Sequence, residues 1–145
     1  MEQRLSVITL GVADLTRSRV FYEQGLGWTA GGVEEQIVFF QLNGIVLALY
    51  PRDDLAADAG VAAEGNGFAG MALAHNVRSP QEVDEVLAQA EGAGGRLVKP
   101  GEAVFWGGYS GYFADPDGHL WEVAHNPLWG LDAAGNVSLA KGQAE

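Results

Sequence analysis

The chain has 145 residues, of which 48% are hydrophobic and 19% are charged, as in an ordinary soluble globular protein of one domain. It carries 19 acidic and 8 basic residues and no cysteine, which argues against a nucleic-acid-binding protein, a disulfide-stabilised fold and a thiolate metal site. No apolar run is long enough to span a membrane, and the N-terminal residues do not resemble a signal peptide. We therefore expect a cytoplasmic protein without nucleic-acid or membrane partners.

The first half of the chain predicts a strand, a helix and three further strands. The β-branched run at residues 4–12 is typical of a strand, and Asp14 is placed to cap a helix that ends near Gly25. The three strands expected after the helix lie near Trp28, at 36–42 and at 45–50. Between the last two, Asn43-Gly44 is a strong signal for a two-residue hairpin turn.

The second half predicts the same order of elements. Ser79-Pro80 is typical of a helix start, and Asp115-Pro116-Asp117-Gly118 is a turn sequence, because proline presets one backbone dihedral and glycine tolerates positive φ. A shift of 65 residues lays Asp14 on Ser79. The strands expected in this half lie at 70–77, 96–98, 110–114 and 119–125. Both halves therefore predict the order βαβββ.

The repeat predicts an α+β fold in which two βαβββ units form a mostly antiparallel, eight-stranded cup with helices on its outer face. We expect a single domain over residues 1–145. Its expected parts are repeat one at about 4–52, a connector at about 53–67, repeat two at about 68–126 and a C-terminal tail at 127–145.

Two motifs carry a resemblance to a known family. The segment Thr9-Leu10-Gly11-Val12-x-Asp14-Leu15-x-x-Ser18-x-x-Phe21-Tyr22 resembles the first βα unit of the vicinal oxygen chelate superfamily, which holds glyoxalases, bleomycin-resistance proteins, fosfomycin-resistance enzymes and extradiol dioxygenases. The segment Tyr112-Phe113-x-Asp115-Pro116-Asp117-Gly118-His119-x-x-Glu122 resembles its closing hairpin. The resemblance covers about residues 4–126, and it indicates the fold more strongly than the activity.

The resemblance implies four positions at which metal-dependent members place their ligands. In this sequence these positions are Val7, Ala48, Ala72 and Glu122, and only the glutamate can ligate a metal, whereas a divalent metal needs several converging donors. By strand alternation the three histidines face away from the cup. We therefore expect no metal and no cofactor, and the resemblance further implies a homodimer.

Glu122 has two interpretations. It is either a carboxylate that accepts a hydrogen bond from a buried partner such as the Tyr112 hydroxyl, or a ligand anchor or general base. The cup also holds candidate ligand contacts, which are mostly aromatic residues with a few polar ones, as in typical small-molecule pockets. These candidates are Trp106, Tyr112, Tyr50, Phe40, Asn76, Thr9 and Ser110.

The sequence thus favours metal-independent binding of a small aromatic or hydrophobic molecule, in the manner of a bleomycin-resistance protein. The alternative is a glyoxalase-type lyase or isomerase, or a dioxygenase, in which Glu122 is the base or the sole remaining metal ligand. A third interpretation is an interaction domain whose cup is filled by its own side chains. The sequence leaves open whether any turnover occurs, and its acidic balance is expected to disfavour anionic ligands.

Overall fold

The computed structural model describes residues 1, 3, 5–69 and 71–139. The chain divides into two compact units, with the division between residues 70 and 71. This position lies close to the predicted start of the second repeat. None of the described helices is long and apolar enough to cross a membrane.

The first unit contains a four-stranded sheet and two helical segments. Its elements are β1 (Val7–Val12), α1 (Leu15–Arg19) with a π-helical continuation (Val20–Gly25), β2 (Gly32–Glu34), β3 (Ile37–Gln41), β4 (Val46–Pro51) and α2 (Arg52–Ala59). The strand order is β1-β4-β3-β2, and β1 runs parallel to β4 while the other neighbours are antiparallel. One face of this sheet packs against the helical segment through Tyr22, which is fully buried.

The second unit repeats this arrangement. Its elements are β5 (Leu73–Asn76), α3 (Pro80–Gly92), β6 (Arg96–Ala103), β7 (Tyr109–Ala114), β8 (Leu120–His125), β9 (Gly130–Leu131) and β10 (Val137–Ser138). The order of the main sheet is β5-β8-β7-β6, again with a parallel pair of first and last strands. The α+β class with two βαβββ-like units is therefore confirmed, and each unit has its own four-stranded mixed sheet.

The predicted helix starts and turns are present. The Asp14 carboxylate accepts the Arg17 backbone N–H at 3.0 Å, and the Ser79 hydroxyl accepts the Glu82 backbone N–H at 3.2 Å, so each satisfies a donor that the first helical turn leaves unpaired. Gly44 adopts a φ of 88° in the turn between β3 and β4. These local signals correctly locate the ends of the elements.

Three elements differ from the prediction. The strand expected near Trp28 lies at Gly32–Glu34, because the Trp28 ring packs against Tyr22 and Phe40. The connector after β4 forms α2, a helix of eight residues. The short strand expected at 96–98 continues to Ala103 and contains two register shifts against β7.

Candidate functional site

Each main sheet has one face that packs against helices and one that faces away from them, which we call the distal face. In the second unit, Tyr109 marks the helix-packed face, since its hydroxyl donates a hydrogen bond to the Asp84 carboxylate of α3 at 2.9 Å. Side chains alternate between the faces along a strand. The distal face therefore carries Ala74, Asn76, Arg96, Lys99, Glu102, Ser110, Tyr112, Ala114, Leu120, Glu122 and Ala124.

The centre of this distal face is a hydrogen-bonded phenol and carboxylate. Tyr112 and Glu122 are direct register partners on β7 and β8, and the Tyr112 hydroxyl donates to Glu122 Oε2 at 2.8 Å. This is the hydrogen bond that the first interpretation of Glu122 expects, and a ligand role for Glu122 is an addition to it. Both residues are half-buried. The hydrogen bond, partial burial and the nearby carboxylate charge together raise the pKa of the Tyr112 phenol above its ordinary value, so the phenol stays protonated as a donor at neutral pH.

Short side chains lie on several sides of this pair, and Leu120 and Lys99 lie on the others. Ala74 is the register partner of Glu122 on the other side, and Ala114 and Ala124 lie two residues along the strands from Tyr112 and Glu122. Because alanine ends at Cβ, the Tyr112 and Glu122 side chains extend further from the sheet than these alanines do. The phenol and carboxylate are therefore the polar groups at the centre of the β7–β8 part of the distal face.

A second polar row lies beside the first. Ser110 pairs with Ala124, and Ala124 pairs with Asn76. Ser110 is only 8% exposed, and Asn76 is half-buried. The structure thus places four of the predicted site residues, Glu122, Tyr112, Ser110 and Asn76, on one sheet face and in two adjacent rows.

Trp106 lies in the turn between β6 and β7 rather than on a strand. An added Cβ on Gly108 would collide with the Trp106 ring, so the ring is folded back onto the backbone of its own turn and is half-buried. The neighbouring Phe105 side chain is fully exposed. Phe105, which was not among the expected ligand contacts, is thus a freely accessible ring in this turn.

The distal face of the first sheet carries Thr9 and Tyr50, two of the predicted contacts. Thr9 pairs with Ala48, and Ala48 pairs with Phe39. Thr9 is exposed, whereas Tyr50 and Phe39 are half-buried. Phe39 was not among the expected ligand contacts, whereas its neighbour Phe40 was.

Phe40 corrects the expectation that it borders the cup. Its side chain is 1% exposed and lies on the helix-packed face of the first sheet, with ring centroids 6.0 Å from Tyr22 and 5.6 Å from Trp28. A shift of one residue moves a strand side chain to the opposite face. Phe40 is therefore a core residue and is left out of the candidate site.

The side chains do not fit a chelated divalent metal. Of the four positions that the family resemblance implies, Val7 and Ala48 lie on the distal face of the first sheet and Ala72 precedes β5, and none of these three side chains has a donor atom. Across the described residues, no group of three or more His, Asp or Glu side chains has the arrangement of a metal site. One carboxylate, that of Glu122, is too few for a stable site.

Two of the three histidines, His75 and His125, lie on the helix-packed face of the second sheet. His125 Nδ1 lies 3.3 Å from the Val77 carbonyl oxygen. His75 pairs in register with Val123, a core residue, and thus lies on the helix-packed side of the sheet. Neither of these histidines shares the distal face with Glu122, as strand alternation predicted.

Comparison with known proteins identifies the family. The Glyoxalase/Bleomycin resistance protein/Dioxygenase superfamily model matches residues 4–123, whereas a comparison with functionally curated proteins gave no significant match. A glyoxalase-related enzyme from Fulvimarina pelagi is 45% identical over 97% of this chain and 100% of its own, with a TM-score of 0.87.

Two further solved structures are more distant. A glyoxalase/bleomycin resistance protein/dioxygenase from Nocardioides is 25% identical over 86% of this chain and 84% of its own, with a TM-score of 0.71. Lactoylglutathione lyase from Agrobacterium tumefaciens is 26% identical over 89% of this chain and 98% of its own, with a TM-score of 0.65. Both the duplicated βαβββ architecture and these matches lead to one conclusion: the chain belongs to the glyoxalase/bleomycin resistance protein/dioxygenase superfamily.

Proposed function

We propose that this protein binds a small aromatic or hydrophobic molecule without a metal, and that Tyr112 and Glu122 hold the polar end of the ligand. The observation that carries the proposal is their 2.8 Å hydrogen bond on a sheet face that faces away from the helix. A carboxylate with one oxygen held by a phenol keeps its second oxygen as an acceptor for a ligand O–H or N–H.

Three observations support this proposal. Proteins of this superfamily typically bind small molecules. Ala74, the exposed register partner of Glu122 on β5, ends at Cβ and leaves the carboxylate open to a ligand from that side. Ser110 and Asn76 add hydroxyl and amide groups in the next row, and a small number of placed polar groups is what orients a ligand in such sites.

Three other predicted contacts remain candidates, each within its own unit. Thr9 and Tyr50 lie on the distal face of the first sheet. Trp106 lies in the turn that joins β6 and β7. We propose Phe105, in that same turn, as a further contact because its ring is fully exposed.

Tryptophan fluorescence tests the proposal. The protein is titrated with a panel of aromatic metabolites, and a saturable change identifies ligands whose affinity is then measured for Tyr112→Phe and Glu122→Gln. Glu122→Gln removes the charged acceptor and Tyr112→Phe removes the phenol that holds it in place, so we expect affinity to fall about tenfold or more in Glu122→Gln and to fall less in Tyr112→Phe. Tyr109→Phe is the matched control, since Tyr109 lies on the same strand and faces α3. Unchanged affinity in both site variants, or an equal loss in the control, contradicts the proposal.

A second candidate function is a lyase or isomerase reaction. It is favoured by the 45% identical relative, which is described as a glyoxalase-related enzyme. In this case Glu122 accepts a proton from a hydroxyl-bearing carbon next to a carbonyl group and returns it to the carbonyl carbon, while the hydroxyl proton passes to the carbonyl oxygen. Turnover of lactoylglutathione that is lost in Glu122→Gln, with ligand binding retained, establishes this function. Absence of turnover in a protein that binds ligand leaves the binding function.

A further inference from the structure

β6 is irregular at the point where it borders the candidate site. Arg96 pairs with Ala114 and Glu102 pairs with Ser110, so six residue steps on β6 lie opposite four steps on β7. The two extra residues are absorbed by register shifts, one between Leu97 and Lys99 and one between Lys99 and Glu102. Such bulges change which side chains point to a given face.

The bulges exchange apolar residues for charged ones opposite the site. With regular pairing from Arg96 onward, Val98 would face Tyr112 and Pro100 would face Ser110. In the structure Lys99 faces Tyr112 and Glu102 faces Ser110. Lys99 therefore extends the Tyr112–Glu122 row into a row of cation, phenol and carboxylate across three strands.

Arg96 stands in the adjacent row on the same face. It pairs with Ala114, which is two residues, or about 7 Å, along β7 from Tyr112. Within the ranges that the structure describes, no hydrogen bond or ion pair engages the Arg96 guanidinium.

Other arginines have structural partners. Arg19 pairs with Glu23, Arg52 donates to the Ala63 and Gly65 carbonyls, and Arg78 donates to the Asp132 and Ala133 carbonyls. The Arg96 guanidinium thus differs from these three, because its N–H donors are available to a ligand.

We infer that Arg96 and Lys99 form an anion-binding handle on this face, and that the ligand is a small organic acid with an O–H or N–H group at its other end. The inference rests on the function proposed above, because it assigns the chemistry of the ligand that Tyr112 and Glu122 hold. The planar Arg96 guanidinium can donate two parallel hydrogen bonds to one carboxylate. The ion pair of Lys99 with Glu102, 2.7 Å long and half-exposed, is screened by water and can exchange its carboxylate for that of a ligand.

The acidic balance of the chain does not oppose this assignment. The chain has a net charge of −11, and at physiological ionic strength charges further away than about 8 Å are largely screened. The carboxylates close to the β6 border, those of Glu102 and Glu122, are matched by the two cations Arg96 and Lys99, so the expectation from overall charge alone does not apply there.

Pairs of acids and their neutral amides test the handle. The probes are 4-hydroxybenzoate, salicylate and indole-3-acetate, each compared with the corresponding amide, and binding is measured by ligand-observed NMR and calorimetry. In the wild-type protein we expect at least one acid to bind about tenfold or more tightly than its amide. Arg96→Gln should remove most of this preference, Lys99→Gln should reduce it, and affinity for the acid should fall with added salt. Arg17→Gln, which makes the same charge change on α1, is the control.

The outcomes separate this inference from the proposed function. Equal affinities for acids and amides, with both lost in Glu122→Gln, overturn the handle and leave the binding function standing. An acid preference that survives in Arg96→Gln and Lys99→Gln also overturns the handle. No binding of any acid or amide overturns the handle, and the wider fluorescence panel then decides the binding function by itself.

Discussion

Phe39 and Phe40 allow a quantitative test of the strand register in the first sheet. Phe40 is 1% exposed and its ring contacts two aromatic neighbours, so Phe40→Ala removes a buried ring and leaves a cavity, at a cost of about 3–5 kcal/mol. Phe39 is half-buried on the distal face, and Phe39→Ala leaves no closed cavity, which predicts a loss of about 1 kcal/mol.

Urea unfolding followed by circular dichroism measures this difference. With a slope of about 2 kcal/mol per molar urea, the unfolding midpoint should fall by about 1.5–2.5 M in Phe40→Ala and by about 0.5 M in Phe39→Ala. If Phe40→Ala does not fold, Phe40→Leu is measured instead. It retains part of the buried volume, so a smaller fall in the unfolding midpoint is expected. Equal losses for the two alanine variants, or a larger loss for Phe39→Ala, would show that β3 is one residue out of register and refute the assignment of its faces.

Three further predictions concern the second unit and the assembly. Gly111→Ala should lower the unfolding free energy by about 1–3 kcal/mol, because the new Cβ would lie 2.6 Å from Leu87; Gly32→Ala, with open space around it, should change stability much less in the same urea assay. Because the folded-state pKa of Tyr112 is raised, its contribution to stability is complete below the unfolded phenol pKa of about 10 and is lost as pH rises through the folded value. In a titration of phenolate absorbance, Glu122→Gln should lower the Tyr112 pKa, and an unchanged value contradicts the hydrogen bond. The homodimer expected from the family resemblance predicts about twice the chain mass in light scattering, and the mass of one chain contradicts it.

The predictable parts of the fold are those set by short-range signals. Asp14 and Ser79 begin their helices as expected, since a capping side chain acts on a backbone donor three residues away. The pairing of Tyr112 with Glu122 could also be predicted from the sequence. The turn that includes Asp115 and Gly118 sets the register of β7 and β8, and two-residue alternation then places both side chains on one face.

The unpredicted parts depend on contacts between distant segments. The face chosen by Phe40 depends on its packing with Tyr22 and Trp28, because an apolar run such as 37–40 has no alternation to show which side is buried. The two bulges of β6 arise from its pairing with β7 and leave no pattern in its sequence. As a result Lys99 and Arg96 were not among the expected site residues.

The irregular course of β6 also affects how the protein behaves at high concentration. β6 is an edge strand of its sheet, and an edge with a continuous row of unpaired donors and acceptors can recruit strands from other molecules. Pro100 has no N–H to offer, Lys99 carries a charge, and the register shifts interrupt the repeat that an incoming strand would need. The same bulges that bring charges beside Tyr112 thus protect this sheet from growing edge to edge into aggregates.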